Sequence, residues 1–133
     1  MRAARMRNAY STTQMGTDRD LIAAHLPLRP VEFHILLSLS AGERHGYGII
    51  QDIQERGEGS VPDVGTMYRA LARMVEHELI EAAPVASTQA ADERRNYYRI
   101  TTRGLRVAKA EARRLQALTR AARIGGLLEK GSA

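Results

Sequence analysis

Apolar positions recur along this chain in two periods, and the change from one to the other marks out its organisation. From Val64 they fall at Val64, Met67, Tyr68, Leu71, Met74 and Val75, the i, i+3, i+4, i+7 spacing of one helical stripe. Val61 precedes a proline and is biased away from helical backbone, so the helix starts after it. Asp63 is then the expected cap, its carboxylate accepting from the amide near Thr66. Thr66, Arg69, Arg73 and Glu76 fall on the other face. Arg69 and Arg73 are four apart and are predicted to project side by side.

Upstream, Pro30 opens a helix at a position where its missing N–H costs nothing. The run V-E-F-H-I-L-L-S-L-S is apolar on nearly all sides, which predicts a central, buried helix. A-G-E-R-H-G-Y-G reads as a turn into a second helix, Tyr47 to Arg56, with Ile49, Ile50 and Ile53 as its core face. Its Gly-x-Gly lacks the third glycine of a phosphate loop and follows a predicted helix rather than a strand, so that reading is rejected. R-G-E-G-S-V-P-D then leads into the Val64 helix. The pair reads as a helix-turn-helix whose second member is the candidate reader of a major groove.

Downstream the period drops to two. L-I-E-A-A-P-V-A reads as a short strand, with Pro84 placing it at an edge. In N-Y-Y-R-I-T, Tyr98 and Ile100 alternate with Tyr97 and Arg99, as in a half-buried strand. A polar loop joins the two into a hairpin with Arg94 and Arg95 on it. The expected fold is therefore mainly α with a small β-hairpin, a winged helix-turn-helix.

Helical spacing returns in the last quarter. Thr101 or Thr102 caps a helix running to about Ile124, where Gly125-Gly126 ends it. Leu105, Ala108, Ala112, Leu115 and Ala122 approximate a heptad stripe, and Leu118 widens it. A helix of roughly 23 residues spans about 35 Å, more than so small a domain covers alone. The expected partner is a second copy of the same helix. The expected division is a flexible basic arm over residues 1–20, a winged domain over 21–101, a dimerisation helix over 102–126 and a disordered tail over 127–133.

Composition narrows the function classes. The 133 residues suffice for one modest core. Net charge is +5, and nearly all the cations are arginine, which pairs bidentately with phosphate and guanine. The absence of cysteine removes disulfides, thiolate metal sites and cysteine nucleophiles. His25, His34, His45 and His77 lack metal-ligand spacing, and no carboxylate pair or nucleophile motif stands out, so no enzyme, metal or cofactor is expected. No apolar run reaches a membrane span and the first residues lack a signal-peptide core, so a cytoplasmic protein is expected.

These residues resemble the PadR family of bacterial winged-helix transcriptional regulators, in its smaller branch with a single short C-terminal helix. The matching pieces are H-G-Y at His45 to Tyr47, G-T-M-Y at Gly65 to Tyr68, R-A-L at Arg69 to Leu71, L-I at Leu79 to Ile80 and Y-Y-R-I-T-T-R-G from Tyr97 to Gly104. Their order and spacing agree over about Leu26 to Gly104. The resemblance implies a homodimer on a pseudo-palindromic duplex DNA operator, acting as a repressor relieved by a phenolic or drug-like small molecule. It implies DNA contacts from His45, Tyr47, Gly65, Thr66 and Tyr68, base or phosphate contacts from Arg69 and Arg73, and wing contacts from Arg94 and Arg95. The effector site is left unassigned. The chain departs from the family in having Glu78 where a glycine usually precedes the L-I pair, so the reader helix must end without the residue best suited to a left-handed cap. The competing reading is a winged helix that docks an acidic protein rather than DNA.

Overall fold

Each long helix starts at a chemically defined cap. The computed structural model describes residues 17–56, 62–83 and 97–129. Its elements are α1 (Thr17–Ala23), α2 (Pro30–Leu39), β1 (Arg44–His45), α3 (Gly46–Arg56), α4 (Val64–Glu76), β2 (Ile80–Ala83), β3 (Tyr97–Ile100) and α5 (Thr102–Ile124). Pro30 opens α2, and the Glu32 carboxylate reaches back to accept from the Arg29 amide at 3.1 Å. Asp63 Oδ1 accepts from the Thr66 amide at 2.7 Å, as the sequence predicts. Thr101 Oγ1 accepts from the Gly104 amide at 2.9 Å, and α5 ends at Gly125. The next residue, Gly126, takes a φ of 86° that only glycine adopts freely.

One core joins these elements. Ile35, Leu36 and Leu39 of α2 meet Ile49, Ile50 and Ile53 of α3 and Met67, Ala70, Leu71 and Met74 of α4, with Leu79, Ile80, Tyr98 and Val107 closing the base. The buried face of α4 is narrower than its apolar stripe. Val64, Tyr68 and Val75 are exposed, because the small Ala70 turns inward and α4 packs on the 67-70-71-74 face.

The strands form a three-stranded antiparallel sheet rather than an isolated hairpin. Its order is β1-β3-β2, with Arg44 opposite Tyr98 and Ile80 opposite Ile100. β2 is an edge strand, as expected. β1 arises inside the stretch read as a turn, so the Gly46-Tyr47-Gly48 run does follow a short strand; the missing third glycine still rules out a phosphate loop.

A seam ties the end of α4 to the start of α5. Glu78 leaves α4 with a φ of 63°, the left-handed backbone that the missing glycine would have served. Thr101 then binds two of the three residues between α4 and β2. Its hydroxyl donates to the Glu78 carbonyl at 2.7 Å and the Leu79 carbonyl at 3.0 Å, and its amide donates to the Leu79 carbonyl at 3.1 Å. Gly104 packs on the same carbonyl so closely that a Cβ there would lie 1.9 Å from its oxygen.

The N-terminal division needs correction. Helix α1 starts within the stretch expected to be a flexible arm, packs along α5 and pairs Asp18 with Arg106. The remainder of that arm, the wing residues Arg94 and Arg95, and residues 130–133 of the tail lie outside the described residues. On α5, Gly104, Val107 and Glu111 are buried against the domain. Ala108, assigned to the dimer stripe, packs partly against this same core. Beyond Glu111 no described residue of α5 is buried, and Leu118 is 54% exposed.

Candidate nucleic-acid interface

The sequence-predicted residues of α3 and α4, Arg73 apart, lie where the two helices begin. His45 caps α3: its Nδ1 accepts from the Gly48 amide at 3.0 Å, so the neutral ring carries its proton on Nε2. The ring stacks nearly parallel on Tyr47, centroids 6.4 Å apart, and meets Tyr97 of β3 edge-on at 5.4 Å. These rings form an aromatic ledge from the sheet to the first turn of α3.

Tyr68 joins the ledge from α4. Its ring and hydroxyl lie over Gly46, where a Cβ would come within 2.7 Å of the Tyr68 oxygen. The bare backbone at Gly46 therefore seats the tyrosine. The apolar stripe assigns Tyr68 to the core side, but the residue is 42% exposed. Its hydroxyl stands at the N-terminus of α3, where the helix dipole and free amides favour an anion. Asp63, Gly65, Thr66 and Arg69 occupy the first turns of α4. The Thr66 amide holds the Asp63 carboxyl below the usual carboxylate range, with the nearby Arg69 charge adding to the effect. Arg69 in turn donates to Thr66 Oγ1 at 3.2 Å.

Arg69 and Arg73 do not project side by side. Arg73 turns back across the domain and donates from Nε to Glu32 of α2 at 3.1 Å. That carboxylate is only 13% exposed and is already fixed by the Arg29 amide. Sequence reasoning missed this pair because its members are 41 residues apart. It also missed Asp52, which gathers Arg56 at 2.6 Å and Arg44 at 3.8 Å behind the ledge. Arg99 is likewise occupied, by Glu81 at 2.8 Å and Glu43 at 3.7 Å.

Among the described residues no group of three or more histidines, cysteines or carboxylates could hold a metal. No described helix is long and apolar enough to cross a membrane. A groove of about 400 Å³ runs between α1 and α5, floored by Ile22, Leu26 and Ala110 and rimmed by Arg106, Lys109 and Arg113.

No curated protein sequence matches the chain. Solved structures do. A transcriptional regulator from Clostridium thermocellum is 26% identical, with a TM-score of 0.60 over 83% of this chain and 96% of its own. A PadR family transcription regulator from Clostridium difficile is 27% identical, with a TM-score of 0.62 over 69% of this chain and 93% of its own. A PadR-like transcriptional regulator from Bacillus cereus is 25% identical, with a TM-score of 0.60 over 83% and 97%. The model of the transcriptional regulator PadR-like family matches residues 35–110, from the middle of α2 into α5 and more than half of the chain. With its winged-helix frame and the motifs at Gly65 to Tyr68 and Tyr97 to Gly104, the chain belongs to the PadR-like family of transcriptional regulators.

Proposed function

We propose that this protein is a homodimeric, sequence-specific DNA-binding repressor that works in the cytoplasm. The observation that carries the reading is the convergence of His45, Tyr47 and Tyr68 on the N-terminus of α3, beside the exposed first turns of α4. The ledge suits a phosphate of the DNA backbone, which the α3 dipole and the Tyr68 hydroxyl would hold. The exposed face of α4 would then enter the major groove, with Thr66 at its edge and Arg94 and Arg95 reaching backbone from the wing.

The outer half of α5 supports the dimer. Leu115 and Leu118 lie beyond the last buried residue of the helix, and a second copy would cover them together with Leu105, Ala112 and Ala122. A two-fold dimer demands an approximately palindromic operator, its half-sites about 34 Å apart. Bound across a promoter, such a dimer would exclude polymerase. Relief would come from an amphipathic small molecule in the groove between α1 and α5, which favours one spacing of the two readers over another.

The test is fluorescence anisotropy on the DNA upstream of the protein's own gene and on a scrambled duplex, each across a salt series. A specific regulator binds the native fragment ~1000-fold more tightly or better, with affinity falling steeply as salt rises. Absence of binding even at low salt would reject the reading and favour a protein partner for the same surface.

A further inference from the structure

The arginines around the reader are not equivalent. On α3, α4 and the sheet, Arg44, Arg56, Arg73 and Arg99 each meet a carboxylate within ion-pair range. Among the described residues of these elements, Arg69 is the one arginine that does not. Its guanidinium lies back over the first turn of α4, held by Thr66 Oγ1 at 3.2 Å, and Asp63 fixes that turn through the Thr66 amide. Beneath it lie the backbone of Gly65, where a Cβ would stand 3.3 Å from Nη1, and the Asp63 carboxylate, 3.5 Å from that same point but outside ion-pair range of the guanidinium. One turn further on, the exposed position is Ala72. Small residues on both sides of Arg69 let the helix approach base edges closely and leave its planar fork as the longest donor on that face.

We propose that Arg69 is the residue that reads a base, donating two parallel hydrogen bonds to O6 and N7 of one guanine in each half-site, and that Arg73 reads none because Glu32 holds it as a strut. This rests on the DNA-binding reading and adds to it the identity of the base and of its reader. A guanine fits because it presents two acceptors at the spacing of the guanidinium fork, whereas adenine replaces one with a donor. Thr66 and Asp63 are positioning residues that hold the side chain ready, so less rotamer freedom is lost on binding.

The experiment is selection from a random-sequence duplex pool by the wild-type protein and by R69A, R69K and R73A, each first shown by circular dichroism to be folded. The wild type should enrich a G·C pair at one fixed position in each half-site. R69A should lose discrimination at that position by roughly 5- to 150-fold while keeping the remaining preferences. R69K should recover only part of that discrimination, since an ammonium can donate to O6 and N7 but lacks the planar fork. R73A should keep the guanine. Replacing that guanine by 7-deazaguanine in the selected duplex should weaken the wild type and leave R69A unaffected. A retained guanine preference in R69A, or its loss in R73A, would overturn the assignment. A wild-type pool with no enriched sequence would instead reject the DNA-binding reading, and the assignment with it.

Discussion

Replacing Gly104 by alanine strikes the seam between α4 and α5. The added methyl would stand 1.9 Å from the Leu79 carbonyl oxygen, 2.9 Å from its carbon and 3.0 Å from Ile100 Cγ1. Real Cβ atoms essentially never come within 3.0 Å of such neighbours, so α5 and the end of α4 must separate by more than an ångström. Backbone on both sides makes that movement expensive, and overpacking of this kind costs about 1–3 kcal/mol. The separation also stretches the Thr101 hydroxyl bond shared between the Glu78 and Leu79 carbonyls and the Thr101 amide bond to Leu79, each donor worth about 1 kcal/mol. Alanine's better helix propensity returns less than ~1 kcal/mol this near a helix start. The expected net loss is ~2–4 kcal/mol, a large share of the roughly 5–15 kcal/mol that stabilises a domain. Urea unfolding followed by far-UV circular dichroism, at one fixed protein concentration, measures it. Gly48→Ala is the control: its Cβ would meet His45 at an ordinary 3.5 Å, and it should be neutral or mildly stabilising. A Gly104→Ala variant within ~0.5 kcal/mol of wild type would show that the close approach carries no energetic weight.

Glu78→Gly should raise the thermal midpoint by up to the equivalent of ~1 kcal/mol, because relief of the left-handed backbone exceeds the loss of an exposed ion pair to Arg103; a lowered midpoint would refute this. Arg73→Met should cost about 1 kcal/mol of stability by removing the partner of half-buried Glu32, and unchanged urea unfolding would mean the pair holds nothing together. Arg114 donates twice to buried Glu111 and holds its carboxyl below the ordinary range, with the charge of Arg114 and the Leu28 amide assisting. A lowered folded-state pKa gives stability that is full above the unfolded value of about 4.3 and is lost as pH falls through the folded one. Glu111→Gln should therefore flatten the acid limb of a stability–pH profile, and an identical limb would remove Glu111 as its source. Leu115→Glu should yield monomers in sedimentation velocity, and a dimer that persists would place the interface elsewhere.

The parts of this molecule legible in its sequence are those set by local chemistry. The caps at Asp63 and Thr101, the proline start of α2 and the end of α5 all depend on residues within one or two turns, and each falls where the pattern places it. Helix α1 was hidden because T-D-R-D-L-I-A has too few apolar residues to signal a helix; packing against α5 holds it. β1 is two residues long, too short to show a period, and exists only because β3 lies beside it. The motif names Gly65, Thr66 and Tyr68 as candidates, but the setting of Tyr68 on Gly46 cannot be read from it. The parting of Arg69 from Arg73 depends on Glu32, a carboxylate far away in sequence, and no helical periodicity contains that information.

The bonding of Thr101 across the seam makes the junction of α4 and α5 a rigid joint, and a rigid joint turns the last helix into a lever. If two copies cross near Leu115, the arm from that fulcrum to Thr101 is about 21 Å. A swing of about ten degrees at the crossing carries the joint through ~4 Å, slightly more than the ~3.4 Å rise of one base-pair step. In the proposed dimer on DNA, a molecule that shifts the crossing angle by that amount would put the two α4 helices out of register with their half-sites without touching either of them.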